Sequence, residues 1–155
     1  MSDSPSSQNP LSLLLHALIL WICRRVRFRN DLADHDLVHG GEKFVAFRMV
    51  VVTSEGEHSS GQRAIFQVRF RFKNLSPKAN CRLSLIPIPF IVAQPGFRSK
   101  TWLIGQQTGD FMGLYEFDSA AAAEAYWNSL PLRMMRRRAA PGSLSHEVRV
   151  APSQT

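Results

Sequence analysis

The sequence predicts an α+β domain of the ferredoxin-like split βαβ kind, with βαββαβ order from Arg63 onward and an extra helix and strand ahead of it. Three observations carry this expectation. Short segments rich in Val, Ile and Phe alternate apolar and polar residues with a period of two, as half-buried strands do. Two helix-like stretches fall between them in the order strand, helix, strand, strand, helix, strand. Pro77, Pro95-Gly96, Pro131 and Pro141-Gly142 punctuate the joins. Hydrophobic residues make up 45% of the 155 positions, which suits one folded core rather than a disordered chain.

Three zones precede or make up that domain. Residues 1–10 are rich in Ser, Pro and Asn and read as a loose, disordered tail. Residues 11–41 hold one helix and a polar linker, and residues 42–150 hold the folded domain. The helix is expected from Leu11 to Arg29, apolar nearly all round until Arg24 and Arg25. A helix apolar on every side is buried in protein or lipid. Packing against the domain or a second copy is the plainer expectation. The sharper one is an anionic membrane surface, with Trp21 at the interface and Arg24, Arg25, Arg27 and Arg29 on lipid phosphates. The apolar run is too short to span a bilayer and lacks the basic start of a secretory signal, so a cytoplasmic protein, at most peripheral to a membrane, is expected.

His35-Asp36-Leu37-Val38-His39 imitates a zinc-binding H-E-x-x-H helix with Asp for Glu. Gly40-Gly41 ends any helix at once and no third ligand is evident, so a solvated linker and no metal are expected. From Lys43 the pattern turns to β. Residues 43–53 and 63–72 read as a strand pair around the loop at residues 54–62. In the second strand Ala64, Phe66, Val68, Phe70 and Phe72 share one face, and Gln67, Arg69 and Arg71 the other. A helix starts near Ser76, with Pro77 in its first turn, and Pro87 and Pro89 stop it, leaving residues 86–94 as an extended apolar rim. Strands at residues 97–104 and 111–118 flank a hairpin loop. Asp118 caps an Ala-rich helix, which Pro131 breaks or restarts, and residues 143–150 form the last strand with Leu144, His146, Val148 and Val150 on one face.

Cys23 and Cys81 stand alone, which gives no disulfide framework and no zinc pattern and favours a reducing compartment. The formal net charge of +7 favours anionic partners, although a solvated basic surface is the plainer account. Nucleic acid is an unlikely partner: no RNP1-like string lies on any strand, and Gln67, Arg69 and Arg71 are not interleaved with aromatics.

Pro95-Gly96-Phe97 with Lys100 and Trp102, then residues 113–118 reading GLYEFD, then Ala125-Tyr126, are similar to the YdhR-like monooxygenase family. The resemblance covers about the last 90 residues. It implies a dimeric α/β barrel like that of the antibiotic-biosynthesis monooxygenases, in which two split βαβ subunits pair their sheets. A homodimer follows from it, since a split sheet with helices on one side leaves the other face bare. It also implies a pocket between sheet and helices. Some relatives oxidise polycyclic aromatic compounds without a cofactor and others degrade haem. The haem-degrading pattern carries a histidine on the second helix, and residues 119–130 have none.

The function expected is therefore a cofactor-independent monooxygenase acting on a small aromatic or polycyclic ligand. The alternative is a non-catalytic ligand- or partner-binding dimer at a membrane surface. Phe66, Trp102, Tyr115, Tyr126 and Trp127 would wall the pocket, because flat rings stack on such a ligand. As a plain structural reading, they build core or interface. Arg98 and Lys100 would hold an enolate or carboxylate, or are surface charges. His146 is the expected catalytic base, or else a satisfied core histidine.

Overall fold

Asn9 and Pro10 start the first helix. The Asn9 side chain accepts from the Leu11 amide at 2.9 Å, and Pro10 sits in the first turn, where a missing N–H costs nothing. Helix α1 (Pro10–Ile22) ends before the arginines rather than at Arg29. Arg24 takes a φ of 54°, which closes the helix, and the alternating residues beyond it form strand β1 (Val26–Arg29). The structure, a computed structural model, describes residues 8–53 and 61–152, so the expected tail at 1–10 lies mostly outside the described residues. Its end is tied down: Gln8 donates to Gln94 at 3.0 Å and accepts from the Leu130 amide at 3.0 Å.

The expected linker also differs. After a 3-10 turn at Ala33–His35 comes strand β2 (Leu37–His39), and Gly40 and Gly41, with φ of 58° and 79°, turn the chain into β3 (Glu42–Val52). A two-residue hairpin turn needs positive φ at both central positions, which glycine supplies. His35 and His39 thus sit on a turn and a strand, and no group of three metal-ligating side chains occurs among the described residues. Strand β3 pairs with β5 (Phe97–Gly105), not with β4 (Ala64–Phe70) as the sequence suggested. Both sides of β4 are already taken, by β6 (Phe111–Phe117) and β7 (Ser145–Val150). The antiparallel sheet runs β1-β3-β5-β6-β4-β7, with β2 also on β3. Its last four strands have the ferredoxin-like split βαβ order, so the α+β class is as expected.

Helix α2 (Pro77–Leu83) starts where predicted, with the Ser76 hydroxyl accepting from the Ala79 amide. The apolar rim after it is not extended. It forms helix α3 (Ile88–Val92), because Pro87 and Pro89 fall at the cap and in the first turn, where proline fits a helix. Ser119, not Asp118, caps α4 (Ala120–Tyr126) by accepting from the Ala122 amide at 3.1 Å, and Asp118 instead pairs with Arg98. Pro131 begins a separate helix, α5 (Leu130–Arg138).

Helices α2 to α5 cover one sheet face over a core that includes Val50, Ala64, Phe66, Val68 and Phe117. Helix α1 packs on α3 through Leu13, Ala17 and Leu20. The opposite face is not bare, as the sequence argument for a dimer required. Phe44, Ala46, Leu103 and Met112 are buried there under Leu32 and Leu37 of the N-terminal segment. Arg69 on that face pairs with Glu42 at 3.2 Å and Asp110 at 2.9 Å, and Arg71 meets Asp110 at 2.6 Å.

Glu42 is the pin of this face. It is 4% exposed and accepts from the amides of Thr108 at 2.7 Å and Gln107 at 2.9 Å and from the Thr108 hydroxyl. Gly105 leaves the space, since a Cβ there would lie 2.4 Å from a Glu42 oxygen. The Thr108 amide above all, with Gln107, the Thr108 hydroxyl and Arg69, holds the Glu42 carboxyl below the usual range against the effect of burial. A depressed folded value stabilises the protein above the unfolded value of about 4.3, and that stabilisation is lost as pH falls through the folded value. Glu42→Gln should therefore lower the melting temperature at neutral pH and flatten its fall in acid. Thermal unfolding across the acid range checks this, and an unchanged acid profile counts against it.

Candidate functional site

A cavity of about 390 Å³ lies between the sheet and the α2, α3 and α5 helices. Strand parity builds its floor. Lys100 and Trp102 alternate onto the helix-facing side of β5, and Phe111 and Tyr115 do so on β6, with Lys100 directly opposite Tyr115 in the ladder. Gly113 makes room between them: a Cβ there would fall 2.7 Å from the Tyr115 ring. The ring of Tyr126 from α4 lies 4.6 Å from that of Tyr115. Phe90 and Ile91 of α3 and Leu132 and Met135 of α5 close the roof. A smaller hollow of about 310 Å³ beside Gln94 and Asn128 has no charged side chain in its lining.

Charge in the larger cavity is one-sided. Lys100 is 6% exposed, with its Nζ 4.1 Å from the Trp102 ring centre and 4.4 Å from that of Tyr115. No carboxylate lines the cavity, and Lys100 forms no ion pair among the described residues. The nearby Arg48 guanidinium lies over Trp102 at 5.9 Å and donates to the Cys81 carbonyl and the Ser84 hydroxyl. Burial first, and Arg48 second, hold the Lys100 ammonium well below the usual lysine range. Burial pushes the Tyr115 phenol up, and burial together with Tyr115 does the same to Tyr126. Among the described residues the buried Tyr126 hydroxyl has no hydrogen-bond partner of good geometry.

Of the residues expected at the site, the cavity brings together Lys100, Trp102, Tyr115 and Tyr126. It leaves out Phe66, Arg98, Trp127 and His146. Phe66 is wholly buried in the core, with ring contacts to Tyr115, Tyr126 and Trp127. Arg98 pairs with Asp118 at the start of α4. His146 does sit on the helix-facing side of β7, opposite Val68, but it is exposed and stacks on Trp127 at 3.7 Å. Arg136 covers the other side of that indole at 4.4 Å. The imidazole therefore does not reach the cavity.

Phe111 was findable by counting two residues at a time from Tyr115. Arg48 was not, because a bulge between Ala46 and Arg48 turns the strand and breaks the parity of β3. The bulge also brings Phe47 edge-on to Phe111 at 6.0 Å.

No protein-family model matches the chain, and no curated protein matches it. Solved structures do match in fold. A haem-degrading enzyme of Listeria monocytogenes, LmHde, superposes with a TM-score of 0.53 at 11% identity over 74% of each chain. A ferredoxin-fold protein related to antibiotic biosynthesis monooxygenases, from L. monocytogenes 4b F2365, gives 0.53 at 10% identity over 76% of this chain and 69% of that one. A monooxygenase-like protein of Listeria innocua gives 0.50 at 11% identity over 76% and 68%. The shared property is the fold. As to haem, the cavity lining holds no imidazole or thiolate, the common axial ligands of haem iron, and burial keeps its phenols protonated. The donor set does not fit that group.

Proposed function

We propose that this protein binds a small aromatic ligand in the cavity beneath α3 and α5 and oxidises it with molecular oxygen, without a cofactor. The observation that carries this reading is a cavity walled by rings with one buried lysine amino group at its floor that has no ion-pair partner among the described residues. Oxygen chemistry without a cofactor needs an electron-rich, deprotonated ring in a water-poor site, so that the ring itself gives the electron to oxygen. Trp102 and Tyr115 supply flat walls, and Lys100 a positive charge beside the developing anion. The monooxygenase-like fold supports the reaction class. Incubating pure protein with polyketide-like phenols in an oxygen electrode tests it. Uptake proportional to protein supports the reading, whereas tight binding without uptake leaves the non-catalytic ligand binder.

Trp102→Ala removes a wall rather than a charge. Losing a buried ring of this size costs about 1.5–3 kcal/mol of contact, so ligand affinity should fall by about 10- to 100-fold by titration calorimetry. The homodimer is a separate proposal that rests on the family resemblance alone, since the N-terminal segment covers the sheet face it was to pair. Light scattering at micromolar concentration should return twice the 17.5 kDa chain mass. A monomer that persists at higher concentration removes it.

A second reading concerns location. Helix α1 buries only one side, and Leu11, Leu15, Leu18 and Ile22 stand 55–72% exposed on the other. Trp21 and Phe28, 6.0 Å apart and half exposed, continue that crest towards Arg24 and Arg27. Apolar side chains beside arginines suit the surface of an anionic bilayer. No helix among the described residues is long and apolar enough to cross a membrane. Sedimentation with phosphatidylserine vesicles should carry the protein down, and with neutral phosphatidylcholine vesicles much less. Equal recovery in both supernatants overturns the reading.

A further inference from the structure

We propose that Lys100 receives the acidic proton of the aromatic ligand, so that the cavity selects phenols and holds them as phenolates. The inference rests on the reading that the cavity binds an aromatic ligand, and goes beyond it in naming the ligand's acidity and the group that responds to it. Lys100 is more than nine-tenths buried and lines the cavity, and no carboxylate does. The groups facing it from neighbouring elements are Arg48 of β3, Tyr115 of β6 and Tyr126 of α4, with Lys73 and Arg138 also in the lining. None of these carries negative charge at neutral pH.

An isolated ammonium in such surroundings is costly, and the Trp102 and Tyr115 ring faces soften that cost without neutralising the charge. The empty cavity therefore favours the neutral amine, in line with the depressed lysine. Its lone pair is then a base inside an aromatic chamber. When a phenol enters, the O–H bond breaks, the proton goes to Nζ, and the electron pair stays on the phenolate oxygen. The phenolate supplies the negative charge that Lys100, Arg48, Lys73 and Arg138 otherwise lack, so the new ammonium gains an ion-pair partner while staying over both rings. The proton is only relocated, so no oxidant is consumed. Lys100 takes the role that the sequence suggested for His146, whose imidazole lies outside the cavity.

The probe is 2-naphthol, whose neutral and ionised forms absorb at different wavelengths, measured near neutral pH where the free molecule is protonated. The protein should bind it with appearance of the naphtholate band, and should bind 2-methoxynaphthalene, which has no acidic proton, at least about tenfold more weakly. Lys100→Met should bind naphthol without the naphtholate band. Naphthol bound to the unaltered protein with the spectrum of the neutral form overturns the proposal, as does equal affinity for the methoxy compound. Either outcome leaves the aromatic cavity itself standing. Failure of both naphthalenes to bind removes cavity reading and proposal together. The spectrum of the unaltered protein decides even if the Met variant does not fold.

Discussion

Lys100→Met should be more stable than the unaltered protein near neutral pH, by about 1–3 kcal/mol, the usual cost of a buried polar group without a partner. The methionine fills similar volume, keeps contact with the Trp102 and Tyr115 rings, and needs no counter-ion. The pH dependence is more telling. Lys100 is held well below its ordinary range by burial, so between its folded value and the unfolded value of about 10.4 the unfolded chain binds the extra proton. Stability of the unaltered protein should therefore rise with pH across that window. The variant should lack this rise, so the difference between the two shrinks as the solution becomes alkaline. Denaturant unfolding at several pH values measures it. Parallel curves for the two proteins would mean that Lys100 is charged in the folded state. A group kept at such a cost to the fold is the kind that serves a ligand.

The split βαβ order was legible because it rests on local signals. Pro95-Gly96, Ser76-Pro77 and the alternation in β5 and β6 each dictate their own backbone, and the order of elements follows. Pairing was less legible. Nothing in residues 43–72 reveals that β4 has both sides occupied, because that depends on β6 and β7 far along the chain. The strand at Val26–Arg29 was hidden for the same reason: its ladder partners, Met49 to Val52, lie beyond β2 in the second half of β3, while a helix ends shortly before its start. At the site, residue type recruited Trp102, Tyr115, Tyr126 and Trp127, and charge recruited Lys100. Strand parity rightly put His146 on the helix-facing side of β7, but that strand's place at the sheet edge leaves its imidazole on Trp127 and outside the cavity. Charge told least. Lys100 and Arg98 are two residues apart in the same strand, yet one has its acidic neighbour Asp118 and the other has none.

Phe66→Ala should separate core from site. Phe66 was expected in the ligand pocket, but its side chain is 0% exposed and lies under Tyr126 and Trp127 rather than in the cavity lining. Truncation removes buried ring surface and leaves a void that a sheet strand fixed on both sides cannot close, which costs about 3–5 kcal/mol. For a chain of this size that lowers the melting temperature by about 6–20 °C. Affinity for a bound naphthol, measured well below the new midpoint, should change by less than about threefold, because Lys100, Trp102 and Tyr115 keep their places in the β5–β6 ladder. Phe66→Leu, which keeps much of the volume, serves if the alanine variant does not fold and should show the same pattern at smaller size. The opposite result, a stable variant that no longer binds, would put Phe66 in contact with the ligand and move the site from α3 and α5 towards α4 and His146.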